Sequence, residues 1–427
     1  MAAAVCLWAG FASGAGNATA QPVVELPLED RLLTADFTEV YRVGNGDREW
    51  ELFSYVSAVS FDARGNLHIS DLVGDELRVV VVDPSGSLVA AFGRRGDGPG
   101  EFREANQAFA LADGRTVVPD KGHFAYHVFG PDGEFERMVR FPGVGPRHDL
   151  PAGLTPAANP RVRKADREGT LLSRVTFVWD VQRQDNTTEG RVSIEPGPRE
   201  VARVEFEGEE AREVPLIRAS GSPDDRVKFH FAPLPNGRVA FSDSTAYAVR
   251  IVEPAGNVGR ILTRPFPARP WDERNRRAFA NSLRTRLEQE SAESRDRAEM
   301  LGLFGGVEAF VARLNDLDLP GEVEIIDALD ADWEGRIWVL RTPADGFPDL
   351  DIVGAFQSAV GGRPNTLPPT RPGPVDLITA EGRYIGTLAE ARMPAAFGPG
   401  GLAAYVELDA FDVPTVVVRR VSGAIRE

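Results

Sequence analysis

The feature that most constrains the fold of this chain is a recurring unit of short β-rich runs separated by Gly- and Pro-containing turns. In the first copy, residues 56–61 read as a strand, Asp62-Ala63-Arg64-Gly65-Asn66 as a turn, and 67–70 as a strand ending at Asp71. Residues 77–82 are strongly β-branched, and Asp83-Pro84-Ser85-Gly86 places Pro where its fixed φ suits a type I or II turn. Residues 88–92 close the unit. A second copy starts near Ala108, turns at Asp113-Gly114, ends a strand at Asp120, and turns again at Gly130-Pro131-Asp132-Gly133 before 135–141. A third clear copy covers 229–262, with turns at Asn236-Gly237 and Glu253-Pro254-Ala255-Gly256 and a strand ending near Asp243.

Three further copies are degraded or interrupted. Their turns fall at Asp166-Arg167-Glu168-Gly169 and Glu195-Pro196-Gly197, at Asp332-Trp333-Glu334-Gly335 and Ala380-Glu381-Gly382, and at Gly398-Pro399-Gly400-Gly401. The last copy lacks a fourth strand, while 39–43 near the N-terminus is a strand without a unit. Pairing 39–43 with 415–421 completes the final unit and removes the free edges of an open array. The expectation is therefore an all-β, six-bladed β-propeller whose last blade is closed by the N-terminal strand. A β-sandwich also has short strands and Gly/Pro turns, but it explains neither the four-strand period nor a strand supplied from the other terminus.

Composition narrows the function classes. The formal net charge of −16 opposes a nucleic-acid footprint, which needs clustered positive charge, and adhesion to anionic lipid. The single cysteine, Cys6, allows neither a disulfide framework nor a thiolate metal cluster. The first residues are almost all apolar or small and end in Ala18-Thr19-Ala20, so 1–20 reads as a secretory signal cleaved after Ala20. No basic residue precedes the apolar run. The run is too short to span a bilayer, and no other stretch is long and apolar enough to do so. The expected mature protein is a single domain, 21–427, periplasmic or secreted and monomeric.

The linker Phe92-Gly93-Arg94-Arg95-Gly96-Asp97-Gly98-Pro99-Gly100-Glu101-Phe102 and the strand-ending Asp71, Asp120 and Asp243 resemble the repeat signature of NHL-type propellers, in particular their bacterial six-bladed members. The resemblance is strong over 56–141, fair over 229–262 and weak elsewhere. The Asn-Arg pair usual after the Asp is absent, with Lys121-Gly122-His123 and Ser244-Thr245 in its place, and Ala105 stands where a Pro is usual. The family implies the fold and no single activity, because NHL-like propellers include scaffolds, receptors and a few lyases.

Strand parity puts the first and third connections of each unit on one face and the second connection, with the link to the next unit, on the other. The long segments 93–104, 142–160, 178–189, 207–228, 263–322 and 342–374 all belong to the second class, which marks a binding face. The competing reading is tolerance of long loops, which cost little free energy to close. Segment 263–322 carries helical spacing at Phe279, Leu283 and Leu287 and at Leu303, Val307, Phe310 and Leu314. Asp272 is its expected N-cap, and Arg284/Glu288 and Arg286/Glu290 are opposite-charge pairs four apart. It is expected as a helical insertion between blades four and five, either a lid or a structural cap.

Candidate ligand-binding residues are Arg94, Arg95, Asp120, His123, Asp243 and Arg341. Asp71, Asp120 and Asp243 recur at equivalent strand ends, where a ring of carboxylates suits Ca²⁺. Repetition itself favours a structural role, with carboxylates accepting from backbone N–H groups. Of the five histidines, His123 and His127 are four apart but span a loop-to-strand junction, so no metal site is read from spacing. The Arg94-Arg95 linker lacks the Gly-Lys-Ser/Thr ending of a phosphate loop, and no G-x-S-x-G elbow or HExxH occurs. The expected function is a non-enzymatic binding or scaffolding module that takes a protein, peptide or glycan at the long-loop face and needs no cofactor. The alternative is a metal-dependent hydrolase or lyase at the mouth of the central channel.

Overall fold

The computed structural model describes residues 21–44, 46–72, 77–105, 107–141, 161–165, 171–182, 191–218, 227–293, 301–302, 305–314, 319–348, 367–368, 371–409 and 413–423. Strands β1 (Val23–Glu25) and β2 (Ala35–Val43) precede the repeats. Strands β3 (Val56–Phe61), β4 (Leu67–Asp71), β5 (Arg78–Val82) and β6 (Leu88–Phe92) form an antiparallel four-stranded sheet in chain order. The next four are β7 (Phe109–Ala110), β8 (Thr116–Asp120), β9 (Ala125–Phe129) and β10 (Phe135–Arg140). They share one eight-stranded sheet with β11 (Arg161–Ala165), β12 (Leu171–Gln182), β13 (Arg191–Glu207) and β14 (Glu210–Arg218). The third sheet holds β15 (His230–Pro233), β16 (Val239–Ser242), β17 (Ala248–Val252) and β18 (Val258–Thr263), with β1 added parallel to β18. Helices α1 (Glu273–Glu293) and α2 (Gly306–Leu314) follow. The fourth sheet comprises β19 (Ile326–Ala331), β20 (Arg336–Arg341), β21 (Gly373–Thr379) and β22 (Tyr384–Ala391). The fifth comprises β23 (Ala396–Gly398), β24 (Leu402–Leu408) and β25 (Pro414–Gly423), with β2 outermost.

The protein is thus an all-β propeller of five sheets, which corrects the six-bladed expectation. The physical reason is an edge-to-edge contact. Strands β10 and β14 meet in parallel at Arg140 and Glu210, and the Arg140 N–H donates to the Glu209 carbonyl at 2.9 Å. Two four-strand units are thereby joined in one ladder, a contact between backbone groups that counting turns does not reveal.

Apolar clusters fill the spaces between successive sheets and run round the ring. Leu77, Val79 and Val81 of the first sheet pack on Phe102, Val118 and Phe129 of the second. Val201 and Ile217 meet Phe229, Phe231 and Phe241 of the third, and Val249 and Ile251 meet Ile326, Ile337 and Val339 of the fourth. Leu377 and Leu388 meet Ala403 and Tyr405 of the fifth, whose Val416 and Val418 return to Val59, Ile69 and Val80 of the first. Middle strands are therefore buried on both sides, which is why β5 reads as an unbroken valine run, while the outer strand β6 is largely exposed.

The N-terminal segment straps the outside of three sheets. It pairs as β1 with the third sheet. It then exchanges bonds with the fourth, the Leu33 N–H donating to Thr387 O and the Thr387 N–H to Arg31 O, both at 2.8 Å. Finally it pairs as β2 with β25, Tyr41 opposite Val418 and Val43 opposite Val416. This last pairing brings 39–43 and 415–421 together, whereas β1 is an addition that the repeat pattern does not contain. The hairpin turns are closed alike, as when Asp62 N–H donates to Asn66 O at 3.0 Å and Gly65 N–H to Asp62 O at 3.1 Å. Gly86, at φ 81°, suits such a turn, and a Cβ there would lie 3.0 Å from the ring of Tyr41 on β2.

The helical insertion lies between the third and fourth sheets in chain order, not between the fourth and fifth. Asp272 Oδ1 accepts the Asn275 N–H at 2.8 Å, capping the start of α1. Phe279, Leu283 and Leu287 face Trp271, Leu301, Phe310, Val311 and Val323 in a core of their own. Arg284 pairs across to Glu308 of α2, at 2.5 Å, in place of the expected Glu288. Segment 142–160, like the expected signal 1–20 and parts of 178–189, 207–228 and 342–374, lies outside the described residues. Among the described residues no helix is long and apolar enough to cross a membrane.

Candidate functional site

The linker 93–105 folds back on the loop 121–124 that joins β8 to β9. Phe102 N–H donates to Arg94 O at 2.7 Å and Gly96 N–H to Phe102 O at 3.0 Å, giving the linker a tight return. Lys121 N–H donates to Glu104 O at 3.3 Å, and Arg103 Nη1 to Gly122 O at 3.3 Å. Four expected site residues, Arg94, Arg95, Asp120 and His123, thus share one neighbourhood. Arg94 is 79% exposed and ion-paired with Glu101 at 2.6 Å, while Arg95 forms a parallel bridge with Phe102.

Asp120 anchors this region. Its carboxylate accepts from the N–H groups of Arg103 (2.8 Å), Glu104 (2.9 Å) and Gly122 (2.9 Å) and from His123 Nδ1 (2.8 Å). Burial alone pushes such a carboxyl up, but these donors outweigh it and hold Asp120 below its usual range. Asp71 accepts from Ser54 N–H (3.3 Å), Tyr55 N–H (3.0 Å) and Arg78 Nε (3.3 Å). Here burial prevails and the carboxyl is raised. Asp243 binds Arg250. The carboxylates of Asp71 and Asp120 clamp the linker entering their own sheet, and among the described residues the three do not converge on a Ca²⁺ ring.

The partner of Asp120 sets it apart. Arg250 lies opposite Phe241, two residues before Asp243, and His127 lies opposite Val118, two residues before Asp120. Arg250 and His127 therefore hold the same register position. In the first sheet the cation comes from one position earlier on that face, Arg78 directly opposite Asp71, where the second sheet has Ala125 opposite Asp120. His127 is 0% exposed, and its Nε2 stands 3.8 Å from Asp120 Oδ2, beyond a hydrogen bond. Neither of its ring nitrogens has a hydrogen-bond partner among the described residues. The rings of Phe102, Phe129 and Phe135 surround it at centroid distances of 5.4, 6.5 and 6.0 Å. Burial pushes the imidazole down to about 4, against the pull of Asp120 and with help from His123, so it is neutral at ordinary pH. An unsatisfied buried polar group of this kind costs about 1–3 kcal/mol.

His123 lies beside it, its side chain 9% exposed and the two rings 5.2 Å apart. Phe124, at φ 53°, takes the left-handed conformation rarely used by such a residue, and that bend turns the chain from His123 into β9. One donor atom from each of Asp120, His123 and His127 lies within 4.8 Å of the others. Their spacing across a loop–strand junction offers no metal-ligand pattern in sequence. The usable signal is the register position, where one unit has His and its equivalent has Arg.

The other two expected residues lie elsewhere. Asp243 is in the third sheet's unit. Arg341, at the end of β20, belongs to an internal ion network: it donates to Asp376 at 3.0 Å and Asp30 at 2.6 Å, and Arg264 donates to the same carboxylates at 2.7 and 2.9 Å. This network fastens the N-terminal strap to the third and fourth sheets. On the inner strand β19, Asp327 is committed to Lys228, at 3.0 Å, and to Arg371. Burial pushes its carboxyl up, but the two cations hold it below the usual range. The Asp120 cluster lies on β8, β9 and their loop, outside the inner strand β7 of that unit.

No known family model and no curated protein matches the sequence. Similar solved structures include a DUF4221 family member from Bacteroides vulgatus, 10% identical, covering 91% of this chain and 98% of that one with a TM-score of 0.47. A gluconolactonase from Xanthomonas campestris is 12% identical over 94% and 95% of the two chains, with a TM-score of 0.38. The virginiamycin B lyase of Staphylococcus aureus is 9% identical over 90% and 99%, also with a TM-score of 0.38. Likeness at this level says nothing of what this chain acts on.

Proposed function

We propose that the protein is a non-enzymatic binding module of the cell exterior that takes a protein, peptide or glycan ligand on the face opposite its tight hairpin turns. The observation that carries this reading is the helical insertion. Helices α1 and α2 bury an apolar core of their own and extend it to the loop after β20, where Trp271 stacks on Phe347 at 5.4 Å. Arg269 ties the same loop down through the carbonyls of Ala344 (2.7 Å) and Gly346 (2.8 Å). Strand parity assigns this structure and the linker 93–105 to one face, and insertions gathered on one face of a repeat fold mark binding. Export rests on the apolar N-terminal run and its Ala18-Thr19-Ala20 ending.

The test uses the mature chain, 21–427, on glycan and peptide arrays, beside a variant in which 272–320 is replaced by a short linker and whose melting is checked. A ligand bound by the intact chain and lost by the variant supports the reading. Binding that is unchanged after loss of the insertion overturns it.

A further inference from the structure

We propose that Asp120, His123 and His127 bind a divalent transition-metal ion, with Zn²⁺ as the representative, and that this ion supplies the positive charge that Arg250 supplies at the equivalent place in the third sheet. The site is independent of the ligand-binding reading above.

Three observations converge. The first is geometry: a carboxylate and two imidazoles each present a donor atom within 4.8 Å of the others, a compact set that small rotations bring to tetrahedral spacing. The second is the state of His127. It is fully enclosed, aimed at Asp120, and has no hydrogen-bond partner on either nitrogen among the described residues. The third is the comparison between units. Where Asp243 faces a guanidinium from the following strand, Asp120 faces this imidazole, whose Nε2 stops 3.8 Å from the carboxylate.

The donor set names the metal class. Two imidazoles and one carboxylate suit Zn²⁺ and its neighbours in the first transition row, not the oxygen-seeking Ca²⁺. His123 donates through Nδ1 to Asp120, so coordination through that atom needs only the other tautomer, with the proton on Nε2. Arg103 and Glu104 N–H groups orient the carboxylate from behind, and Phe102, Phe129 and Phe135 keep water from His127. The slightly exposed side at His123 leaves a fourth position for water.

The experiment strips the full mature chain with a chelator, equilibrates it with Zn²⁺ alone, dialyses, and measures metal content and melting temperature. The wild type is expected to retain one zinc ion per chain and to melt higher with zinc than without. His127→Arg, which installs the side chain already used opposite Asp243, is expected to fold and to retain none. His123→Ala, at the exposed edge, is expected to bind at least about tenfold more weakly. A wild type that emerges free of zinc overturns the proposal. So does a His127→Arg protein that retains as much zinc as the wild type.

Discussion

Asp243 and Asp120 stand at the same point of two units built alike, yet each meets a different neighbour from the following strand. Arg250 reaches Asp243 and lies over the ring of Phe241, 5.6 Å from its centroid. His127, in the same register position, stops 3.8 Å short of Asp120 and is closed in by phenylalanines. Asp71 and Asp120 clamp backbone N–H groups, and Asp71 and Asp243 each meet an arginine of the following strand, but Asp120 does not. Where the cation is built in, the unit is complete as a piece of scaffold. Where an imidazole replaces it, two nitrogens remain to be satisfied, and the same scaffold becomes a site.

The largest effect is expected where buried carboxylate and guanidinium groups are all matched. Asp376→Ala leaves Arg264 and Arg341 with Asp30 as their remaining carboxylate partner and is expected to destabilise the fold by about 3–5 kcal/mol, read from the urea midpoint. Next comes Arg250→His, which recasts the third unit in the form of the second. It loses the ion pair and the contact with Phe241 and is expected to cost about 1–2 kcal/mol. It gains no zinc retention, because Ala246 stands where the second unit has His123. His127→Arg makes the reverse exchange. Without metal it is expected to raise stability by about 1 kcal/mol or less, and with saturating zinc the order of the two proteins reverses. The smallest effect is at Arg94→Ala, whose ion pair is open to solvent. No measurable change in the unfolding midpoint is expected there, which separates the exposed linker from the buried cluster beneath it.

Much of the scaffold was legible in the chain itself. Gly65, Gly86, Gly114 and Gly133 mark turns that close with the same backbone bonds, and the unpaired run at 39–43 finds 415–421. The blade count was not legible, because the join between β10 and β14 rests on main-chain groups at Arg140, Glu209 and Glu210 that leave no side-chain pattern. Strand β1 was missed for a related reason: Val23–Glu25 is short, lies next to Pro22, and takes its pairing from β18 far along the chain. Of the site, Asp120 was visible as a repeated residue and His123 as its neighbour. His127 was not, because the equal seven-residue spacing of Asp120 to His127 and Asp243 to Arg250 gains meaning only once the paired strands bring each couple together on one face. Arg341 illustrates the opposite error. A charged residue at a strand end reads as available, yet here it is held by Asp30 and Asp376.

The most direct measurement is anomalous X-ray scattering at the zinc edge from crystals of residues 21–427 grown with Zn²⁺. The account predicts a peak about 2.0–2.2 Å from one atom each of Asp120, His123 and His127. Density maps with no peak between these three side chains, in a crystal where zinc is found elsewhere or nowhere, would contradict it.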